Sequence, residues 1–302
     1  MSTIEKAMDK LKQAQAGAAQ QATVQQSAPE QAASAASAAD SAAASSSDKP
    51  VLHIDPQLLE QKGLISDLRD RQTRLTSDEY RSVKRKLLKN ASDRGLIPEH
   101  KRNMIMVTSA NPKEGKTFTS INLALSLALE KDKTVLLIDA DVLNPSINRV
   151  LKLGQHTGLM EYLLGETDDV GDIIYSTNIP NLRIMPAGRP HHLSNELLSS
   201  ERMIALTQEL SSRYNDRILL FDSPPILGVN ETVVLSNFIG QAVVVVEQDK
   251  AKLAAVNAAV GQLGDEIAIG FVLNKAVRGS VSSYGYGYGY GYGYGYEDKD
   301  SA

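Results

Sequence analysis

Beyond residue 101 the chain alternates between short apolar runs and stretches whose apolar residues recur every three or four positions. Residues 103–109, 134–138, 217–221, 241–247 and 269–273 are rich in Val, Ile, Leu, Met and Phe with few polar interruptions. Runs of that length and character predict strands covered on both faces, as in a parallel sheet. Between them, residues 116–129 bring Ile121, Leu125 and Ala128 onto one helical face, and residues 195–214 and 251–263 predict two further helices. The alternation predicts a doubly wound, mainly parallel α/β domain over about residues 85–277. Sheets of that kind bind their ligands at the carboxyl ends of the strands.

The first hundred residues follow a different pattern. Residues 1–14 predict a short amphipathic helix, with Ser2 and Glu5 at capping-box spacing and Ile4, Met8 and Leu11 on one face. It is either a frayed terminus or a docking element. Residues 15–48 are Ala, Ser and Gln with almost no large apolar side chain, which predicts a disordered tether. A further helix is predicted over 78–90, with Ser77 as N-cap and Tyr80, Val83 and Leu87 at helical spacing. Arg81, Lys84 and Arg85 crowd its flanks, so it reads either as a solvated edge helix or as a subunit contact.

Composition removes several function classes. The 302 residues carry 32 basic and 36 acidic side chains, a net charge of -4, against a protein that coats nucleic acid. The absence of cysteine excludes disulfides and thiolate-bound metals. No run approaches the ~20 consecutive apolar residues that span a bilayer. No secretory signal follows Met1, so a soluble cytoplasmic protein is expected.

The candidate chemistry begins between the first predicted strand and helix, at Ala110-Asn-Pro-Lys-Glu-Gly-Lys-Thr117. Such a loop turns successive backbone N–H groups into a cradle for phosphate at a helix N-terminus. Its candidate nucleotide contacts are Asn111, Pro112, Lys113, Glu114, Gly115, Lys116, Thr117 and Phe118. Lys116 would reach the β- and γ-phosphates and the Thr117 hydroxyl would meet Mg²⁺. Two apolar strands end in carboxylates, one at Asp139-Ala-Asp141 and the other at Asp222. Carboxylates beside a phosphate loop can hold Mg²⁺ or its water ligands, the alternative being ordinary turn aspartates. At the far end, Tyr284, Tyr286, Tyr288, Tyr290, Tyr292, Tyr294 and Tyr296 alternate with glycine. A nucleotide site and a strip of hydroxyls on one chain suggest self-phosphorylation; alone, the strip would equally read as a low-complexity adhesive. From Asn274 to Tyr296 the extended chain reaches at most about 75 Å, enough to enter a neighbouring subunit.

These motifs, in this order, resemble the bacterial tyrosine autokinases of exopolysaccharide and capsule synthesis, over roughly residues 75–296. Residues 111–117 resemble that family's Walker A loop, Asp139-Ala-Asp141 with Pro145 its second motif, and Leu219-Leu-Phe-Asp222 its Walker B. Gly158-Leu-Met-Glu-Tyr-Leu, Met185-Pro-Ala-Gly188 and Asn195-Glu-Leu-Leu-Ser-Ser200 resemble its intervening segments. The resemblance implies a P-loop NTPase fold of the deviant Walker type, like partition and septum ATPases. It implies ATP and Mg²⁺ as cofactors, with Thr117, Asp139 and Asp222 at the metal and Asn274 recognising adenine. It implies Lys116, Asp139, Asp141 and Asp222 as the catalytic set. The expected proton acceptor is Asp141, with Asp139 the alternative, and the implied phosphoacceptors are the seven tail tyrosines. Asp78, Arg81 and Lys84 resemble an oligomerisation triplet, which implies a homo-oligomer phosphorylating in trans. The leader without a membrane span resembles the stand-alone cytoplasmic subgroup of exosortase-type loci. A membrane chain-length-determinant protein (a polysaccharide co-polymerase) is then the implied activator, recruiting the chain to the inner face of the plasma membrane. Two positions depart from the pattern: Leu143 stands where the second motif has arginine, and Lys84 where the triplet has its last arginine.

The residues so divide into a helix and leader at 1–48, a linker and helical segment at 49–100, an ATP-binding domain at 101–277 and a tyrosine tail at 278–302. One rival is a partition- or septum-type switch ATPase, whose loop begins with a second lysine; Asn111 occupies that place here. Another is a nucleotide-binding scaffold of a polysaccharide-assembly complex.

Overall fold

The computed structural model describes residues 49–66, 71–93, 97–212 and 217–276, the side chains of 71–73 aside. The expected helix over 1–14, the tether behind it and all seven tail tyrosines lie outside the described residues.

The apolar runs form the predicted sheet: β1 (Met104–Ser109), β2 (Thr134–Asp139), β5 (Arg217–Asp222), β6 (Gln241–Glu247) and β7 (Ala268–Asn274). Two short strands, β3 (Tyr175–Ser176) and β4 (Leu182–Met185), complete seven in the order β3-β4-β2-β5-β1-β6-β7. All neighbours pair in parallel except β3 with β4. The pleat sends alternate residues to opposite faces, so two cores form. Met106, Ile138, Phe221 and Val244 face one; Ile105, Leu137, Leu220 and Val243 face the other. Central strands need apolar residues at every position, which is why their sequences read as continuous runs.

The second core is capped by α3 (Lys116–Ala128) and by the earlier helices α1 (Pro56–Gln61) and α2 (Arg71–Ser92). Here the structure corrects two expectations. Residues 52–65, expected as linker, are docked: Leu52, Ile54, Leu59, Leu64 and Ile65 are buried, and Asn178 pairs through its amide with the N–H and C=O of Ile54. The helix expected from 78 begins at Arg71, so Ser77 is no cap but a buried residue two turns inside. Ser77, Tyr80, Lys84 and Leu87 form its buried face, at the three-and-four spacing of a helix side. Small serine lets α2 lie close over α3, where Tyr80 Oη donates to Thr119 Oγ1 at 3.4 Å.

α4 (Ile147–Leu151) also packs into the second core, through Ile147 and Leu151, whereas the other face carries α5 (Leu159–Leu163), α6 (Ser194–Leu198), α7 (Glu201–Ser212), α8 (Asn230–Ser236) and α9 (Leu253–Val260). The helix expected over 195–214 is therefore two. Ser199 and Ser200 direct their hydroxyls back to the carbonyls of Asn195 and Leu197, an alternative to continuing the ladder. At the sheet edge, β7 is less covered than its apolar sequence implies, leaving Phe271 58% and Leu273 55% exposed. Among the described residues no helix is long and apolar enough to cross a membrane.

Candidate functional site

The loop from β1 to α3 is held from within and from below. Glu114 is buried and accepts from the Asn111 backbone N–H at 3.0 Å and its side-chain amide at 3.4 Å, bracing the loop across its own turn. Lys113 and Gly115 have positive φ, 68° and 104°. Gly115 is required twice over, because a Cβ there would lie 1.9 Å from Asn274 Nδ2. Asn274, ending β7, donates that amide to the Glu114 carbonyl at 2.9 Å, and Lys275 Nζ donates to the Lys113 carbonyl at 2.9 Å. The two side chains clip the loop to the end of the sheet. Glu114 and Asn274, expected as nucleotide contacts, are thus engaged in shaping the loop.

Strand register brings the carboxylates together. Asp139 and Asp222 are direct partners on neighbouring strands, both essentially inaccessible to solvent. Asp139 Oδ2 accepts from the N–H groups of Ser146 and Ile147, each at 3.0 Å, while its Oδ1 is buried without a partner. Asp222 Oδ1 accepts from Ser120 Oγ at 2.9 Å, while its Oδ2 is likewise unpartnered. Burial, and then the Asp222 charge, hold the Asp139 carboxyl well above the ordinary range, against the opposing amides. Burial also raises Asp222, against the hydroxyls of Thr117 and Ser120 and the charge of Lys116. Two carboxylate oxygens on adjacent strands, Asp139 Oδ1 and Asp222 Oδ2, are thus buried without a hydrogen-bond partner. Thr117 Oγ1 and Ser146 Oγ, 2.7 Å apart, add neutral oxygens near Asp139. This all-oxygen set suits Mg²⁺, which takes one or two carboxylates and completes its shell with water and phosphate. Among the described residues no cluster of three or more His, Cys, Asp and Glu could hold a metal unaided.

A cavity of about 500 Å³ is lined by Lys116, Thr117 and Asp141, together with Ser146, Arg149 and Leu143; Asp139 and Asp222 lie behind this lining, Asp139 bonded to the Ser146 N–H. Asp141 is raised by burial and restrained by Lys116, the Asn144 amide and Arg149. The expected core of the site is therefore assembled: Lys116 and Thr117 at the start of α3, Asp141 in the cavity, Asp139 and Asp222 buried at the strand ends. Asp78, Arg81 and Lys84 are elsewhere, on α2. Arg81 pairs with Asp78 at 2.7 Å on the exposed face, but Lys84 is buried, bonded to the Ser126 carbonyl at 3.0 Å and Glu130 at 2.6 Å. Lys84 thus binds α2 to α3 within one chain.

Sequence reasoning missed Ser120 and Ser146. Ser120 stands one helical turn after Lys116, a spacing that returns it to the same face. Ser146 had no comparable signal. The intervening motifs meet each other: Leu159 and Met160 donate backbone N–H to the carbonyls of Pro186 and Ala187, and Glu161 accepts from the N–H groups of Gly158 and Arg189. A Cβ on Gly158 would fall 2.1 Å from the Pro186 carbonyl oxygen, so that approach needs glycine.

Residues 102–263 match a family model described as an AAA domain. The chain is 31% identical over 214 residues to the tyrosine-protein kinase YwqD of Bacillus subtilis, covering 70% of this chain and 86% of that one. The chain belongs to the bacterial tyrosine-protein kinase family. Within that family it is 35% identical over 190 residues to CpsD of Streptococcus agalactiae, covering 61% of this chain and 79% of the relative. It is 33% identical over 183 residues to Ptk of Acinetobacter johnsonii, of which it spans 24%. Among solved structures, the kinase domain of the Escherichia coli tyrosine kinase ETK superposes with a TM-score of 0.59 at 27% identity, over 70% of this chain and 80% of that one. Membership agrees with the parallel sheet, the phosphate loop and the carboxylates at the strand ends. It also favours the kinase reading over the switch ATPase and the scaffold.

Proposed function

We propose that this chain is an ATP-dependent tyrosine autokinase that phosphorylates Tyr284–Tyr296 of a second copy of itself, in the regulation of exopolysaccharide polymerisation or export. The observation that carries this reading is the meeting of Lys116, Thr117 and Asp141 in one cavity, in a chain of the tyrosine-kinase family whose Asp139 and Asp222 each keep a carboxylate oxygen without a partner. The loop amides and Lys116 hold the triphosphate. Thr117, Asp139 and Asp222 would hold Mg²⁺, which would supply positive charge to the phosphoryl oxygens. Asp141 takes the phenolic proton. It is favoured over Asp139 because it lines the cavity, whereas Asp139 is buried and tied to the amides of Ser146 and Ile147. A phenol with pKa near 10 is mostly un-ionised at neutral pH, and burial makes Asp141 the stronger base.

Activation by a membrane chain-length-determinant protein, and recruitment to the membrane through it, belong to this reading. So does assembly through the exposed Asp78 and Arg81. The test is phosphotyrosine mass spectrometry of the full chain with Mg-ATP, for the unaltered protein and Lys116→Met, with and without the activator's cytoplasmic segment. Lys116-dependent phosphate on the tail is the expected result. ATP turnover with an unmodified tail, even with the activator present, would return the switch ATPase to first place.

A further inference from the structure

The cavity over the phosphate loop is lined by two chemistries. Lys116 and Thr117 suit a phosphoryl group and Asp141 a proton transfer beside it, but the side chains of Leu143, Pro225 and Val229 line the same space and offer no hydrogen bond. Leu143 is 41% exposed, a large apolar side chain left at the mouth of a polar site. A triphosphate gains nothing from such a surface, because anionic oxygens beside it lose water without replacement. An aromatic ring gains from it in proportion to the apolar area covered. The tail supplies rings of this kind, each with a hydroxyl at its far end and glycine on either side except at the outer ends of the tract. Glycine neighbours leave a single ring free to enter a narrow site without a second side chain obstructing it.

We propose that Leu143, Pro225 and Val229 seat the ring of the acceptor tyrosine from a second copy of the chain and direct its hydroxyl toward Asp141. The inference rests on the kinase reading above and adds to it the surface that selects a phenol. In the step it serves, the phenolic oxygen forms a bond to the γ-phosphorus. The bond from that phosphorus to the β,γ-bridging oxygen breaks, its electron pair leaves with ADP, and the phenolic proton passes to the Asp141 carboxylate. Leucine at 143, where the family pattern has arginine, then makes the seat apolar in this chain. Serine or threonine, with no ring to cover that surface, is a poor acceptor.

The experiment uses the full chain with all seven tail tyrosines replaced by serine, so that no ring of its own competes for the seat. It is given Mg-ATP, the activator segment and a peptide copying residues 282–287. Peptide phosphorylation is measured for Leu143 and for Leu143→Ala, Leu143→Asp and Leu143→Met, alongside Mg-ATP affinity. Leu143→Ala is expected to raise the peptide KM about tenfold and Leu143→Asp more, with Leu143→Met close to unaltered and Mg-ATP affinity within about twofold throughout. An unchanged peptide KM in both Ala and Asp variants would overturn the seat while leaving the kinase intact. Loss of Mg-ATP affinity in step with KM would assign the apolar surface to the nucleotide base instead. If the parent chain phosphorylates no peptide although it binds Mg-ATP, the kinase reading fails, and the seat with it.

Discussion

Single atoms decide the state of the phosphate loop. Gly115→Ala asks a residue with a side chain to hold φ of 104° and to share space with Asn274 Nδ2. The variant is expected to lose most nucleotide binding by calorimetry while its far-ultraviolet circular dichroism stays unchanged, since the strain is confined to one turn. Ser120 is a second such atom: its hydroxyl contacts the Lys116 carbonyl and Asp222 Oδ1. Ser120→Ala would leave Asp222 without that donor, at a cost of about 1–3 kcal/mol. A lower melting temperature that Mg-ATP partly restores is the expected outcome. The loop, Lys116 and the carboxylates at the strand ends were legible in the sequence, because each follows an apolar run that fixes where a strand stops. The commitment of Glu114 and Asn274 to the loop itself was not legible. It depends on φ values and on a contact across 160 positions of chain.

At the scale of elements, the pairing of α2 with α3 holds the helical face of the second core. Lys84→Met removes the donor to the Ser126 carbonyl and the partner of Glu130, and is expected to lower the denaturant midpoint by about 1–3 kcal/mol of stability. Arg81→Ala, on the exposed face, is expected to leave that midpoint within ~0.5 kcal/mol; sedimentation would read its effect on assembly. Tyr80 supplies a pH test of the same contact. Burial pushes its phenol up to about 12, so the fold favours the neutral form. Stability tied to it is complete below about pH 10, where the unfolded phenol is also neutral, and is lost as pH rises toward 12. Tyr80→Phe should flatten the fall in denaturant midpoint across that window. The central strands were readable because both of their faces are buried. Strands β3 and β4 were not, being too short for a period and carrying an exposed Arg183. The start of α2 was missed because Ser77, a good cap by chemistry, is a good close-packing residue by size.

For the whole molecule, the division into a nucleotide-binding body and a tyrosine-bearing tail sets the broadest prediction. Removing residues 277–302 is expected to preserve Mg-ATP affinity and melting temperature while abolishing self-phosphorylation; a matching loss of affinity would make the tail part of the nucleotide site. The alternation of strand and helix was enough to read the body's fold. The docking of residues 52–65 onto it was not, because those few apolar residues have no period and gain their place only from a surface built by distant chain. The clip formed by Asn274 and Lys275 has a mechanical consequence. The chain that leads to the tyrosines leaves the sheet directly after the two residues that grip the Lys113 and Glu114 carbonyls. Asn274 and Lys275 thus join the loop to the start of the segment that carries the tyrosines. Under the proposed phosphorylation in trans, tension along a tail held by another copy would be delivered to the cradle of its own subunit. A longer leash would slacken that line, so on the same proposal the spacing between residue 275 and the first tyrosine would set how strongly one subunit's grip tugs at its neighbour's nucleotide.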